Sequence, residues 1–449
     1  MTTKAHSIQS RRRVLRAGAG AAAGLALGRP RIRRAGAADV ELTMWQMIFP
    51  VTDPNDKSKK PEDFWIHQAI KRFEEANPGT SVKLEDPPGA PETFTKYRTA
   101  SIAKNGPDIF ATWSGHYMLD MKQYLEPLDP YVTAEDRARI FGWEAATEGF
   151  KPGEGTTYGI PAGTDGVVCF FTNKELLQKA GVDPEAPLPP TFDEFTALLD
   201  QIKASGTTPL VLSNQSFVYH TLNYWTAQVV NGAPGLQELI DGKRNFSDPT
   251  TLEVARKWAT LSNKDWTIPG TPTMEESQAA QLLFAGKAAM ITSGAWFIRD
   301  ARVALGDKLG MVKIPDFNAD VTIKDAGVGG PGTVYVVSNY SEKKDAAIAL
   351  IKHLVSKEEQ EKRATANEGA LINVNDVDYT TLYNEPLRLQ QQQWVADPAH
   401  VIFWPDNVYP FDLITEIIQR AQTAWTGDSS PEEFMKQLDQ KRDELLGKS

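Results

Sequence analysis

Val40-Glu41-Leu42-Thr43-Met44-Trp45, Ser81-Val82-Lys83-Leu84 and Asp108-Ile109-Phe110-Ala111-Thr112 are the three runs that decide the fold. Each reads as a strand, the first by alternation and β-propensity. Between the first two, Ile66, Ala69, Ile70 and Phe73 recur at helical spacing, and Asn77-Pro78-Gly79 stops that helix. A second helix runs from about Thr93 to Lys104 and ends at Asn105-Gly106-Pro107. Strand, helix, strand, helix, strand at this spacing predicts a parallel α/β sheet. Ligands of such sheets bind beyond the carboxyl ends of the strands. Trp45 with Gln46, and Trp113 with Ser114, fall at equivalent ends of successive strands, which makes them candidate binding residues.

Further along, Tyr158-Gly159-Ile160-Pro161 leads into the apolar strand Val167 to Phe171. Thr191 with Glu194 three residues on is a capping box for a helix through Lys203. Pro209 to Leu212, Gly286 to Thr292, Leu309 to Ile314 and Gly332 to Val337 have strand character, and the tail after Lys343 is mostly helical. About 410 residues follow residue 37, more than the roughly 250–300 at which one core stops growing, so two domains are expected.

The first 37 residues have the order of an export leader. Ser10-Arg11-Arg12-Arg13-Val14-Leu15-Arg16 precedes the apolar stretch Ala17 to Gly28, and Ala35-Gly36-Ala37 is a small-x-small cleavage site. The apolar stretch falls well short of the roughly 20 residues a spanning helix needs. The arrangement is that of a twin-arginine signal, which a receptor reads. Nine of the 48 basic residues and none of the 58 acidic ones lie in 1–37, so the remainder carries 39 and 58, a formal charge of −19. That field repels nucleic acid and anionic membranes and suits a neutral or cationic ligand. Cys169 is the single cysteine, so neither an intrachain disulfide nor a lipid anchor after the leader is expected. Without an anchor, a periplasm is the favoured compartment.

Several separated blocks resemble the extracellular solute-binding proteins of ABC importers, in the group of maltose-binding and multiple-sugar-binding proteins. They are Pro107-Asp108-Ile109-Phe110, Leu125-Glu126-Pro127-Leu128-Asp129, Tyr158-Gly159-Ile160-Pro161 with Thr172-Asn173-Lys174-Glu175, and Leu188 to Phe195. Phe284 to Met290 with Ser293-Gly294-Ala295-Trp296, and Ser341 to Ala347, complete the set. Their joint order covers nearly all of 40–449. The resemblance implies an α/β fold of two lobes, with the ligand cleft between them and several hinge crossings, near 164–166, 288–294 and 330–335. Lobe one would be 39–165 plus 288–335, and lobe two 166–287 plus 336–449. It also implies capture of a carbohydrate by lobe closure and delivery to membrane permease subunits. The twin-arginine export machinery would be a further partner, and a monomer is expected.

A sugar needs flat aromatic faces for its C–H surfaces and acids, amides or backbone groups for its hydroxyl rim. The resemblance points to Trp296 as a stacking ring, Asp165 as an acidic contact at the first crossing, and Tyr219 and His220 as contacts from the second lobe. Trp404, in Phe403-Trp404-Pro405-Asp406-Asn407, is a candidate platform, and Gly330 serves either the hinge or the ligand. Met47-Ile48-Phe49 departs from maltose-binding protein, where polar sugar contacts stand at the first strand end. No nucleophile elbow, His-Glu-x-x-His or phosphate loop occurs, so catalytic residues, cofactor and metal ligands are not expected. Two alternatives remain: the same fold binding a polyamine or metal-type solute, or a secreted glycoside-processing enzyme. Asp53-Pro54-Asn55-Asp56 could weakly host a calcium ion, though a solvated turn explains it better.

Overall fold

Leu42 and Met44 alternate with Trp45 along β1 (Val40–Gln46), and the period of two sends them to opposite faces. Leu42 and Met44 join Ile66, Ile70 and Phe73 of the helix Trp65–Ala76 in one core. Trp45 joins Phe94, Tyr97 and Phe110 on the other side, under the helix Ala90–Ile102. Helices therefore cover both faces, as the sequence spacing requires. This computed structural model describes residues 40–52, 57–87 and 90–448. The expected leader at 1–37 and the Asp53–Asp56 turn weighed for calcium lie outside them.

The other strands are β2 (Thr80–Glu85), β3 (Ile109–Trp113), β4 (Gly159–Gly163), β5 (Cys169–Asn173), β6 (Thr208–Val211), β7 (Ala288–Ser293), β8 (Leu309–Lys313), β9 (Gly327–Gly329), β10 (Thr333–Val337) and β11 (Val401–Phe403). They form a five-stranded sheet in the order β2-β1-β3-β10-β4, a four-stranded sheet β6-β7-β5-β8 and a pair β11-β9. The first three strands are parallel, as expected from their spacing, but β10 enters antiparallel between β3 and β4. In the second sheet β5 runs antiparallel to both neighbours.

Sheet membership differs from the expected lobe division in two places. β7 and β8 were assigned to lobe one, yet they hydrogen-bond β5 and β6 in the second sheet. The helices Lys344–Leu354 and Lys357–Ala366, assigned to lobe two, pack on the helix Trp65–Ala76 of the first. A buried strand such as Ala288–Ser293 is apolar on both faces and carries no mark of the sheet it joins.

Between the sheets, residues 164–168 and 328–332 run against each other. Asp165 N–H donates to Gly330 O at 3.0 Å, Gly330 N–H to Gly166 O at 2.9 Å, and Val168 N–H to Val328 O at 2.7 Å. The buried Gln391 amide closes the far edge, accepting from Val167 N–H at 2.7 Å and donating to Val167 O at 2.9 Å. The C-terminal helices Phe411–Thr426 and Pro431–Leu445 pack on the helix Pro249–Asn263, with Trp258 and Trp425 rings 5.0 Å apart.

Candidate functional site

A cavity of about 510 Å³ opens where the ends of both sheets meet. Its first wall is the turn after β1, where Met47, Ile48, Phe49 and Pro50 present an apolar surface. Gln46 builds that turn. Its Oε1 accepts from Ile48 N–H at 3.1 Å and Phe49 N–H at 2.7 Å, and its amide donates to Asp86. Gln46 is thus fully engaged and buried, and it does not reach the cavity.

Trp45 also stays outside. Its ring meets Tyr97 edge-on at 6.4 Å, with the Lys96 ammonium 4.3 Å above it. Alternation with Leu42 and Met44 puts Trp45 on the face covered by the helix Ala90–Ile102, and the turn after β1 is left to face the ligand space. Trp113, at the end of β3, does line the cavity, packed edge-on against Tyr117 at 4.9 Å. Ser114 beside it is buried and structural: its Oγ donates to Pro331 O and accepts from Asn407 Nδ2, both at 2.8 Å.

The second sheet supplies the aromatic cluster. Phe217–Leu222 is a π-helical turn, a form found often at functional sites. It turns both Tyr219 and His220 into the cavity. The Tyr219 hydroxyl meets that of Tyr117 at 3.1 Å. His220 Nδ1 lies 3.3 Å from both the carbonyl and the hydroxyl oxygen of Thr292. Burial pushes its pKa down to about 4, so the ring is neutral at physiological pH. Trp296 and Trp404 lie 6.2 Å apart, with His220 6.2 Å from the first and 6.0 Å from the second. Trp296 sits against Gly294, where a Cβ would fall 2.1 Å from the indole, so only glycine fits.

Four carboxylates and one guanidinium complete the lining. Glu276, at the start of the helix Glu276–Phe284, accepts from the Trp296 indole at 3.0 Å and the Ser293 hydroxyl at 2.9 Å. Arg299 and Asp300 pair at 2.9 Å. Asp165 sits at the crossing, enclosed by protein but with a face on the cavity, and burial pushes its pKa up to about 7. The Trp404 indole N–H and the charge of Arg363 oppose that rise. The Trp404 Nε1 is buried and, beyond this influence on Asp165, forms no hydrogen bond among the described residues. Asp406 is buried and likewise raised to about 7, first by burial and further by the charge of Asp165. Its Oδ1 has no hydrogen-bond partner among the described residues.

Of the ten residues singled out from sequence, the structure brings Trp113, Asp165, Tyr219, His220, Trp296 and Trp404 to one cavity. Gly330 is left-handed at φ +91° and belongs to the crossing pair, while its neighbour Gly332 lines the site. Sequence reasoning missed Glu276, Asp300 and Asp406. All three lie in the first turn of a helix, where an acid is ordinary and gives no signal of burial. No group of three His, Cys, Asp or Glu side chains among the described residues could hold a metal ion. Nor is any described helix long and apolar enough to cross a membrane.

The sequence pattern of the bacterial extracellular solute-binding protein family matches residues 58–361. A protein of Brucella abortus (strain 2308) named as a binding protein is 24% identical over 390 residues, 86% of this chain and 90% of that one. A multiple sugar-binding protein of Streptococcus mutans is 26% identical over 211 residues, 44% of each chain. Among solved structures, a chitin oligosaccharide binding protein superposes with a TM-score of 0.77 at 21% identity, over 91% of this chain and 99% of that one. At that identity the likeness shows the two-lobe fold alone.

Proposed function

The chain belongs to the family of bacterial extracellular solute-binding proteins, and from that premise we propose that it captures a carbohydrate outside the cytoplasm for an ABC-type importer. One lobe is built on the five-stranded sheet with the helices of 344–366, the other on the four-stranded sheet with the helices of 405–445. The paired segments 164–168 and 328–332 are the hinge, and closure about them buries the ligand and presents the loaded form to the permease. Residues 1–37 are a twin-arginine leader, the compartment is the periplasm, and the protein works as a monomer without catalysis.

The observation that carries this reading is the lining of the cavity. Trp113, Trp296 and Trp404 offer flat faces for sugar C–H surfaces, and Asp165 and Asp406 offer acceptors for hydroxyls. A hydrogen bond to a charged acceptor contributes about 1.5–3 kcal/mol, against about 1 for a neutral pair, so one buried carboxylate orients a sugar well. A second reading, capture of a polyamine, gains from the carboxylates that line the cavity beside its aromatic rings.

Thermal unfolding of residues 38–449 with mono- and oligosaccharides tests the proposal. A ligand that binds only the folded state raises stability by RT ln(1 + [L]/Kd), about 2.7 kcal/mol at 100 times Kd. A raised melting temperature with one sugar class is expected. Shifts with polyamines or metal ions alone would overturn the carbohydrate reading.

A further inference from the structure

The cavity has a charge problem that a neutral sugar leaves unsolved. Of its four carboxylates, Glu276 is committed to Trp296 and Ser293, and Asp300 is paired with Arg299. Asp165 and Asp406 remain, and among the described residues neither forms an ion pair. Arg363, whose field reaches Asp165, directs its guanidinium at the carbonyls of Ala162 and Ala370. Asp406 feels the charge of Asp165 and is raised by it. Imidazole cannot balance the pair, because His220 is neutral.

Two buried polar atoms on this cavity also form no hydrogen bond among the described residues, and they are of opposite kind. Asp406 Oδ1 is an acceptor on a side chain 5% exposed, and Trp404 Nε1 is a donor on one 6% exposed. Native proteins leave few such groups unmatched, and those at a cavity mark where a ligand completes the set. A hydroxyl gives Asp406 a hydrogen bond but brings no charge that would hold both carboxyls ionised at neutral pH. An ammonium gives up to three N–H donors and a balancing charge, and the aromatic faces of Trp296 and Trp404 attract it as well. A ligand made only of ammonium groups, such as a protonated polyamine, has no acceptor for Trp404 N–H. A sugar ring or hydroxyl oxygen has one.

Resting on the carbohydrate reading above, we propose that the ligand is a sugar carrying a free, protonated amino group, held by Asp406 and Asp165 while a ring or hydroxyl oxygen accepts from Trp404 Nε1. The raised pKa values of the two carboxyls are what an enclosed pair shows while its counter-charge is absent.

Calorimetric titration at pH 7 compares glucosamine oligomers with the same oligomers N-acetylated, with glucose oligomers and with spermidine. The amine-bearing sugar is expected to bind at least about 10-fold tighter than its acetylated form, and Asp406→Asn or Asp165→Asn to collapse that ratio. The wild-type ratio stands alone as a test if either variant folds poorly. Equal or tighter binding of the acetylated or glucose oligomers overturns the amine proposal and leaves the carbohydrate reading standing. Binding of spermidine with none of the sugars overturns both.

Discussion

Trp296 Nε1 and the Ser293 hydroxyl share one oxygen of Glu276, at 3.0 and 2.9 Å. The ring proposed to cover a sugar is therefore aimed by a carboxylate on a different helix. Trp296→Ala should weaken sugar binding by about 1–3 kcal/mol, a factor of about 5 to 150. Glu276→Leu, which frees the ring, should weaken it by about 1 kcal/mol, and Glu276→Gln, which keeps an acceptor, by less. Titration calorimetry on the three variants checks the order; equal affinities throughout would remove Trp296 from the site.

Trp45 and Trp113 look alike in sequence and should behave differently. Trp45→Ala empties a buried site in the core with Tyr97 and Phe110, at a cost of about 3–5 kcal/mol in stability. Affinity per folded molecule should stay near wild type. Trp113→Ala removes a cavity wall and should lower affinity. Denaturant melts paired with ligand titrations separate the two; loss of affinity in the Trp45 variant would place the ligand elsewhere.

Gly332 offers a one-atom probe of Asp165. A Cβ there would lie 1.5 Å from Asp165 Oδ2, so Gly332→Ala must push the carboxylate aside. Its backbone is not left-handed, so little strain competes with that effect. Gly330→Ala meets nothing closer than 3.5 Å but sits at φ +91° and should lose about 1 kcal/mol of stability instead. A ligand affinity unchanged in Gly332→Ala would show that Asp165 takes no part in binding.

The buried acids give the unliganded protein a pH signature. Asp165 and Asp406 titrate near 7 folded and near 3.8 unfolded, so between those values the folded state holds more protons. Their contribution to stability is full below about 3.8 and falls as pH rises through 7. His220 opposes them: lowered from 6.5 to about 4, it makes the fold lose stability as pH falls through that window. A difference measurement isolates one group. The melting temperature of Asp406→Asn minus that of wild type should climb steadily from pH 5 to pH 8. Parallel curves would mean Asp406 is ionised throughout.

Much of this was legible in the chain. The first three strands and their covering helices follow from periodicity at Ile66, Ile70 and Phe73 and from the stop at Asn77-Pro78-Gly79, all local signals. Trp113 stood out because it ends a strand of a parallel α/β sheet, while Trp296 was marked by the family resemblance and Trp404 by its place in Phe403-Trp404-Pro405-Asp406-Asn407. Trp45 shows where a strand-end position misleads: alternation with Leu42 and Met44 sends it to the opposite sheet face, and that face is covered by the helix Ala90–Ile102. Asp406 was hidden differently. Pro405-Asp406 reads as the exposed start of a helix, and only the packing of that short helix on distant His116–Leu119 turns it into an enclosed acid.

The close approach of Trp296 and Trp404 has a use outside transport. Two indoles 6.2 Å apart and 36° from coplanar, with an imidazole beside them, are coupled chromophores. Whatever enters between or upon them alters their shared excited state, so the cleft reports its own occupancy in near-ultraviolet light without a dye attached. A transporter component built this way is already most of a reagentless optical sensor.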